Sequence, residues 1–173
     1  MKLVTGGAYQ GKLEYAKRTY QIDDGWIDGR DCEFDEIVRC CGIHHFHEYV
    51  RRMLHEQTDP EGGTQEEQDV FLCSAQPGPM QRDPMQEHWR TNGFRFQTDD
   101  LRALEEQADA FAAWLYQSNP AIVIVTNELG YGIVPIEKED RFWREVTGRI
   151  CTCLAARSDE VVRVVCGIGM RLK

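Results

Sequence analysis

Several features are missing from this sequence, and each absence removes a class of protein. No stretch approaches the roughly 18 consecutive apolar residues that a membrane-crossing helix needs, so a membrane span is not expected. Cationic charge is scarce: 20 Lys and Arg stand against 29 Asp and Glu, a formal net charge of -9. That balance excludes a general nucleic-acid surface, which requires a basic footprint to neutralise phosphates. Seven cysteines are an odd number and include no C-x-x-C pair, so neither a disulfide framework nor a standard zinc site is expected. Internal repeats, low-complexity tracts and an interdomain linker are also lacking. The chain opens Met-Lys and enters a strand pattern at once, without the apolar core of a signal peptide, and a cytoplasmic location is the corresponding expectation.

What is present fits one α/β domain over residues 1–173. The apolar fraction of 42% and charged fraction of 28% are those of an ordinary folded domain. Lys2–Thr5 reads as a short strand and Lys12–Tyr20 as a helix. Residues 31–39 are compatible with a short helix, and 44–56 carry Phe46, Tyr49, Val50, Met53 and Leu54 at helical spacing. Residues 59–68 read as a loop, 70–73 as a buried strand, and 76–98, broken by Pro77, Gly78, Pro79, Pro84 and Gly93, as a long ordered loop or lid. From 99 to 117, Leu101, Leu104, Ala108, Phe111 and Leu115 mark an amphipathic helix capped by Asp99 or Asp100. The apolar run 121–126 suits a strand covered on both faces. Phe142, Val146, Ile150 and Leu154 then define a helix over 137–157, and 161–166 a last buried strand. Strands alternating with helices predict a three-layer, mostly parallel sheet with helices on both faces.

In such a sheet, ligands collect at the carboxyl ends of the strands. The loop after the first strand, Gly6, Gly7, Ala8, Tyr9, Gln10, Gly11, Lys12 and Leu13, nearly spells the phosphate-binding G-x-x-x-x-G-K-[ST]. Glycines let amides converge on phosphate oxygens, the helix N-terminus adds positive potential, and Lys12 supplies a point charge. Leu13, however, lacks the hydroxyl that ordinarily binds magnesium. A plain glycine-rich turn is the alternative. A second loop contains Asn127, Glu128, Gly130 and Gly132. Its carboxylate could hold magnesium or orient a hydroxyl, or the pair Asn127 and Glu128 could merely cap a turn. The run from Cys40 to His47 offers His44, His45 and His47 as nucleophile or base, or a Cys/His set for a transition metal.

The segments VTNELGYGIVP (125–135) and DRFWREVTGRICTCLAARSDEVVRVVCGIGMRLK (140–173) resemble the bifunctional adenosylcobinamide kinase/adenosylcobinamide-phosphate guanylyltransferase family of cobalamin biosynthesis. VTGGAYQGKL (4–13) is similar to that family's first loop in Val4, Thr5, Gly6, Gly7, Gly11 and Lys12. The resemblance implies a RecA-like P-loop fold and a trimer. It also implies GTP or ATP with Mg2+, and a corrinoid substrate, adenosylcobinamide or its phosphate. It carries over phosphate binding to the 6–13 loop and phosphate and acceptor roles to Lys12 and Glu128. Guanylylation falls to His45, with His44 and His47 as alternatives. The sequence departs from the pattern at Tyr9, Gln10 and Leu13. No proline follows the histidines at the family's spacing, and Trp89-Arg90-Thr91, similar to its W-x-T element, lies far downstream. Two other readings remain: a degenerate paralogue that binds nucleotide or corrinoid without turnover, and a small Cys/His metal protein.

Overall fold

A computed structural model describes residues 1–55 and 101–173. Strand β1 (Lys2–Thr5) lies inside a six-stranded sheet of order β2-β3-β4-β1-β5-β6. Its parallel neighbours are β4 (Val123–Val125) and β5 (Glu160–Val165), with Val4 opposite both Val125 and Val162. Strands β2 (Trp26–Asp28) and β3 (Gly42–His44) extend the parallel portion, and β6 (Ile168–Arg171) closes one edge antiparallel to β5.

Side chains alternate across a strand, and here both faces are buried. Leu3, Ile43, Ile124 and Val161 face a core built with helices α2 (Phe46–His55), α3 (Leu101–Ser118) and α4 (Lys138–Arg157). Val4, Val123, Val125, Val162 and Val164 face a smaller core closed by Ala16 of α1 (Lys12–Tyr20). Double coverage explains why β4 is an unbroken apolar run. The expected three-layer α/β architecture is therefore what forms. Phe46, Tyr49, Val50 and Met53 of α2, Leu104, Ala108, Phe111 and Leu115 of α3, and Val146, Ile150 and Leu154 of α4 are all buried.

The departures from expectation are local. The segment 31–39 forms only a 3-10 turn, Phe34–Val38, closed by a reciprocal capping box between Glu33 and Glu36. Residues 44–45 do not begin a helix: His44 ends β3, and α2 starts at Phe46. Strands β2, β3 and β6 were not anticipated. The expected loop 59–68, strand 70–73, lid 76–98 and cap at Asp99 or Asp100 lie outside the described residues. Among the described residues no helix is long and apolar enough to cross a membrane, and the six cysteines there are free thiols.

Candidate active site

The carboxyl ends of β1, β2, β3 and β4 bring the candidate residues to one edge of the sheet. After β1 the chain passes through Gly6 at φ 147, Tyr9 at φ 59 and Gly11 at φ 76, the last serving as the N-cap of α1. Gly6 has little alternative, because a Cβ there would stand 2.4 Å from the carbonyl oxygen of Val164. The loop is braced from the β5–β6 turn, where the amide of Cys166 donates to Gln10 Oε1 (2.7 Å) and that of Gly167 to the Gln10 carbonyl (2.8 Å). Tyr9 stands fully exposed at the loop's apex.

Lys12 is buried at the base of this loop. Its Nζ donates to the Gly7 carbonyl (2.6 Å) and to Asn127 Oδ1 (2.7 Å). Burial lowers the lysine pKa, and the carboxylate of Glu128 works in the opposite sense. Glu128 itself is anchored twice: its amide donates to the Gly6 carbonyl (3.1 Å), and its carboxylate pairs with Arg163 of β5 at 2.9 Å. The glycine-loop lysine and the β4-loop residues Asn127 and Glu128 thus share one site, although 115 residues separate Lys12 from Asn127. Leu13 lies beyond the loop on α1 and offers no oxygen.

Because Asn127 Oδ1 accepts from Lys12, its Nδ2 is the donor to His47 Nε2, at 2.9 Å. His47 is therefore an acceptor that must stay neutral. Burial, helped by the nearby charges of His45 and Lys12, pushes its pKa down to about 4. Its carbonyl receives the Trp143 indole N–H at 2.7 Å, which fixes the start of α2 against α4.

His45 faces a different partner. It occupies the left-handed region at φ 53, and its Nδ1 lies 2.9 Å from Asp28 Oδ1 at the end of β2. Neither this contact nor the one to His44 uses its Nε2. Burial opposes ionisation of Asp28, but hydrogen bonds from Arg30 and His45 prevail and hold the carboxyl well below its usual range. The rings of His45 and His47 are 6.0 Å apart between centroids, so the Asp28–His45 pair and the Lys12–Asn127–His47 chain are adjacent.

Beside Glu128 opens a cleft of about 980 Å³, lined among the described residues by Asn127, Glu128, Tyr131, Val134, Arg144 and Thr147. Gly130 and Gly132 sit on its outer loop with open space where a Cβ would be. Their carbonyls accept from Arg144. Sequence reasoning named most of these residues but missed Asp28 and Arg163. The signal for Arg163 was a lone cation inside the apolar string VVRVV; Asp28, closing a three-residue strand, left no comparable mark.

A family model described as cobinamide kinase / cobinamide phosphate guanyltransferase matches residues 85–172. Curated relatives include the bifunctional adenosylcobalamin biosynthesis proteins CobU of Salmonella typhimurium and of Escherichia coli. The first is 40% identical over 72 residues, covering 42% of this chain and 40% of the relative. The second is 42% identical over 78 residues, 43% of each. The corresponding CobP of Pseudomonas aeruginosa is 31% identical over 85 residues, 49% of this chain and 48% of the relative. The chain spans less than half the length of these relatives, and the family-model match, 85–172, contains the Glu128 loop, α4 and β5 but not the glycine loop. With half of its residues under the family model, and with the fold that the family resemblance implied, the chain belongs to the cobinamide kinase / cobinamide phosphate guanyltransferase family.

Proposed function

We propose that this protein transfers phosphoryl and guanylyl groups from a nucleoside triphosphate to a cobinamide, the two activities that the description of its family names. The observation that carries this reading is the junction of Lys12, Asn127 and Glu128. A buried ammonium at a glycine loop, facing a carboxylate from the next strand, is the arrangement that phosphoryl transfer uses for positioning and charge neutralisation. Lys12 and the amides of the 6–13 loop hold the outer phosphates of GTP or ATP. The cleft beside Glu128, with exposed Tyr131 and Val134 and the permissive Gly130 and Gly132, receives the corrinoid. Glu128 orients the acceptor hydroxyl and takes its proton as the oxygen bonds to the γ-phosphorus, the bridging P–O bond to the β-phosphate breaks, and the nucleoside diphosphate leaves.

The guanylyl step belongs to His45. With its Nδ1 proton held by Asp28, the Nε2 lone pair attacks the α-phosphorus of GTP. An N–P bond forms, a P–O bond breaks, and pyrophosphate leaves; the cobinamide phosphate then displaces the histidine. His47 is the weaker nucleophile, because Asn127 already occupies its Nε2. Magnesium fits as an ion delivered with the nucleotide: it keeps several waters and takes one or two carboxylates plus phosphate oxygens. Glu128 supplies one carboxylate, whereas Leu13 supplies nothing. Bound there, the ion would neutralise charge on the transferring phosphates. Assembly into a trimer follows from the same resemblance and is checked by light scattering. The second reading, a paralogue that binds without turnover, is favoured by Leu13 and by the departure of the histidine segment from the family pattern.

The test is intact-protein mass spectrometry after incubation with GTP. The expected result is a GMP adduct that maps to His45 and disappears in His45→Asn. Lys12→Ala should slow its formation by roughly 10-fold to 100-fold, the loss of a charge-assisted hydrogen bond of about 1.5–3 kcal/mol. GTP binding without adduct or phosphorylated cobinamide would select the non-catalytic paralogue.

A further inference from the structure

We infer that Asp28, His44 and His45 form a binding site for one divalent transition-metal ion of the zinc or cobalt type, separate from the nucleotide's magnesium. The three donor atoms lie within 4.8 Å of one another. His45 Nδ1 is 2.9 Å from His44 Nδ1 and 2.9 Å from Asp28 Oδ1, and His44 Nδ1 is 3.7 Å from Asp28 Oδ2. Ligands around one such ion, at bond lengths of about 2.0–2.1 Å, stand about 3.0–3.4 Å apart, so the two contacts of His45 Nδ1 are near that spacing and the Asp28 carboxylate, whose two oxygens face one imidazole each, needs only a small turn to present one oxygen to both.

Protons serve this triangle poorly. If His45 Nδ1 donates to Asp28, it turns the same N–H towards His44 Nδ1. If His44 donates to His45 instead, a bare nitrogen lone pair faces an ionised carboxylate. A cation between the three atoms serves all of them. Two imidazoles and one carboxylate select a borderline ion and leave positions open for water or a ligand.

The donors are also fixed in place. Asp28 and His44 are paired residues at the ends of neighbouring parallel strands, and the Gly29 amide donates to the His44 carbonyl at 2.8 Å. His45 follows directly in its left-handed conformation. The side chains of His44 and His45 are 19% and 38% exposed, which leaves a path from solvent. Arg30, itself 60% exposed, holds the Asp28 carboxylate and must swing outwards when an ion enters.

An ion on His45 Nδ1 shifts the ring proton to Nε2, so ion binding and attack by Nε2 exclude each other. That consequence rests on the nucleotidyl-transfer reading; the ion site does not.

The experiment uses the full chain stripped with chelator, titrated with Co2+ in the absence of nucleotide, and followed by visible absorption and calorimetry with Zn2+ as competitor. One ion per chain is expected. Affinity should fall at least about tenfold in His44→Ala and in Asp28→Asn, rise in Arg30→Ala, and be unchanged in Cys41→Ser. Circular dichroism checks that each variant folds. If a ligand variant does not fold, X-ray absorption of the cobalt-loaded wild type decides between nitrogen/oxygen and sulfur donors. Lack of binding, binding that survives both ligand substitutions, or sulfur ligation would overturn the site. Cobalt binding, together with no GMP adduct when the same metal-stripped protein is incubated separately with GTP and magnesium, would remove the transfer reading and leave the ion site standing.

Discussion

His45 is the residue on which most of the proposed chemistry converges, and its backbone shows how it is held. A non-glycine residue at φ 53 carries a cost of about 1 kcal/mol, which the surroundings must offset. Gly29 does part of this: a Cβ at that position would meet the His45 carbonyl oxygen at 2.5 Å and Tyr49 Cβ at 3.0 Å. Gly29→Ala should therefore lower stability by about 1–3 kcal/mol and slow GMP-adduct formation more than it weakens GTP binding. Thermal melts, adduct kinetics and calorimetry read the three effects separately; unchanged adduct kinetics would mean that His45 does not depend on this packing. Lys12 stood out in the sequence because G-x-x-x-x-G-K is a local pattern with fixed spacing. Asp28 was not, because its partnership with His45 exists only once β2 and β3 lie side by side.

At the scale of elements, the long ones announced themselves and the short ones did not. Helix α4 repeats Val146, Ile150 and Leu154 every four residues, and all three are buried against the sheet and α3. Strands β2 and β3 have three residues each, too few for any alternation, and their register comes from pairing with each other. Strand β6 hides behind a tight turn in which Cys166 (φ 50) and Gly167 (φ 77) are both left-handed, the geometry of a type I′ hairpin. Only the glycine of that pair advertises the turn. Ile150→Ala in α4 should cost about 2–5 kcal/mol, visible as a lower urea midpoint without a change in slope. A loss under 1 kcal/mol would contradict the buried position of that face.

On the scale of the whole molecule, the acidic chain places the cations Lys12 and Arg163 at one sheet edge. His44, His45 and His47 gather beside them, where β1, β3, β4 and β5 deliver these residues. The family match over 85–172 accounts for only one side of that edge; the glycine loop and the histidines come from the other half of the chain. The two sides are joined by the Lys12–Asn127–His47 chain and by the Glu128 amide bonded to Gly6. The central claim is that a nucleotide binds across this junction. Calorimetric titration with GTP and with ATP, with and without magnesium, on the wild type and on Lys12→Ala, tests it most directly. The account predicts magnesium-strengthened binding of one nucleotide per chain, weakened roughly 10-fold to 100-fold by the substitution. Binding that is absent, or identical in Lys12→Ala, would contradict it.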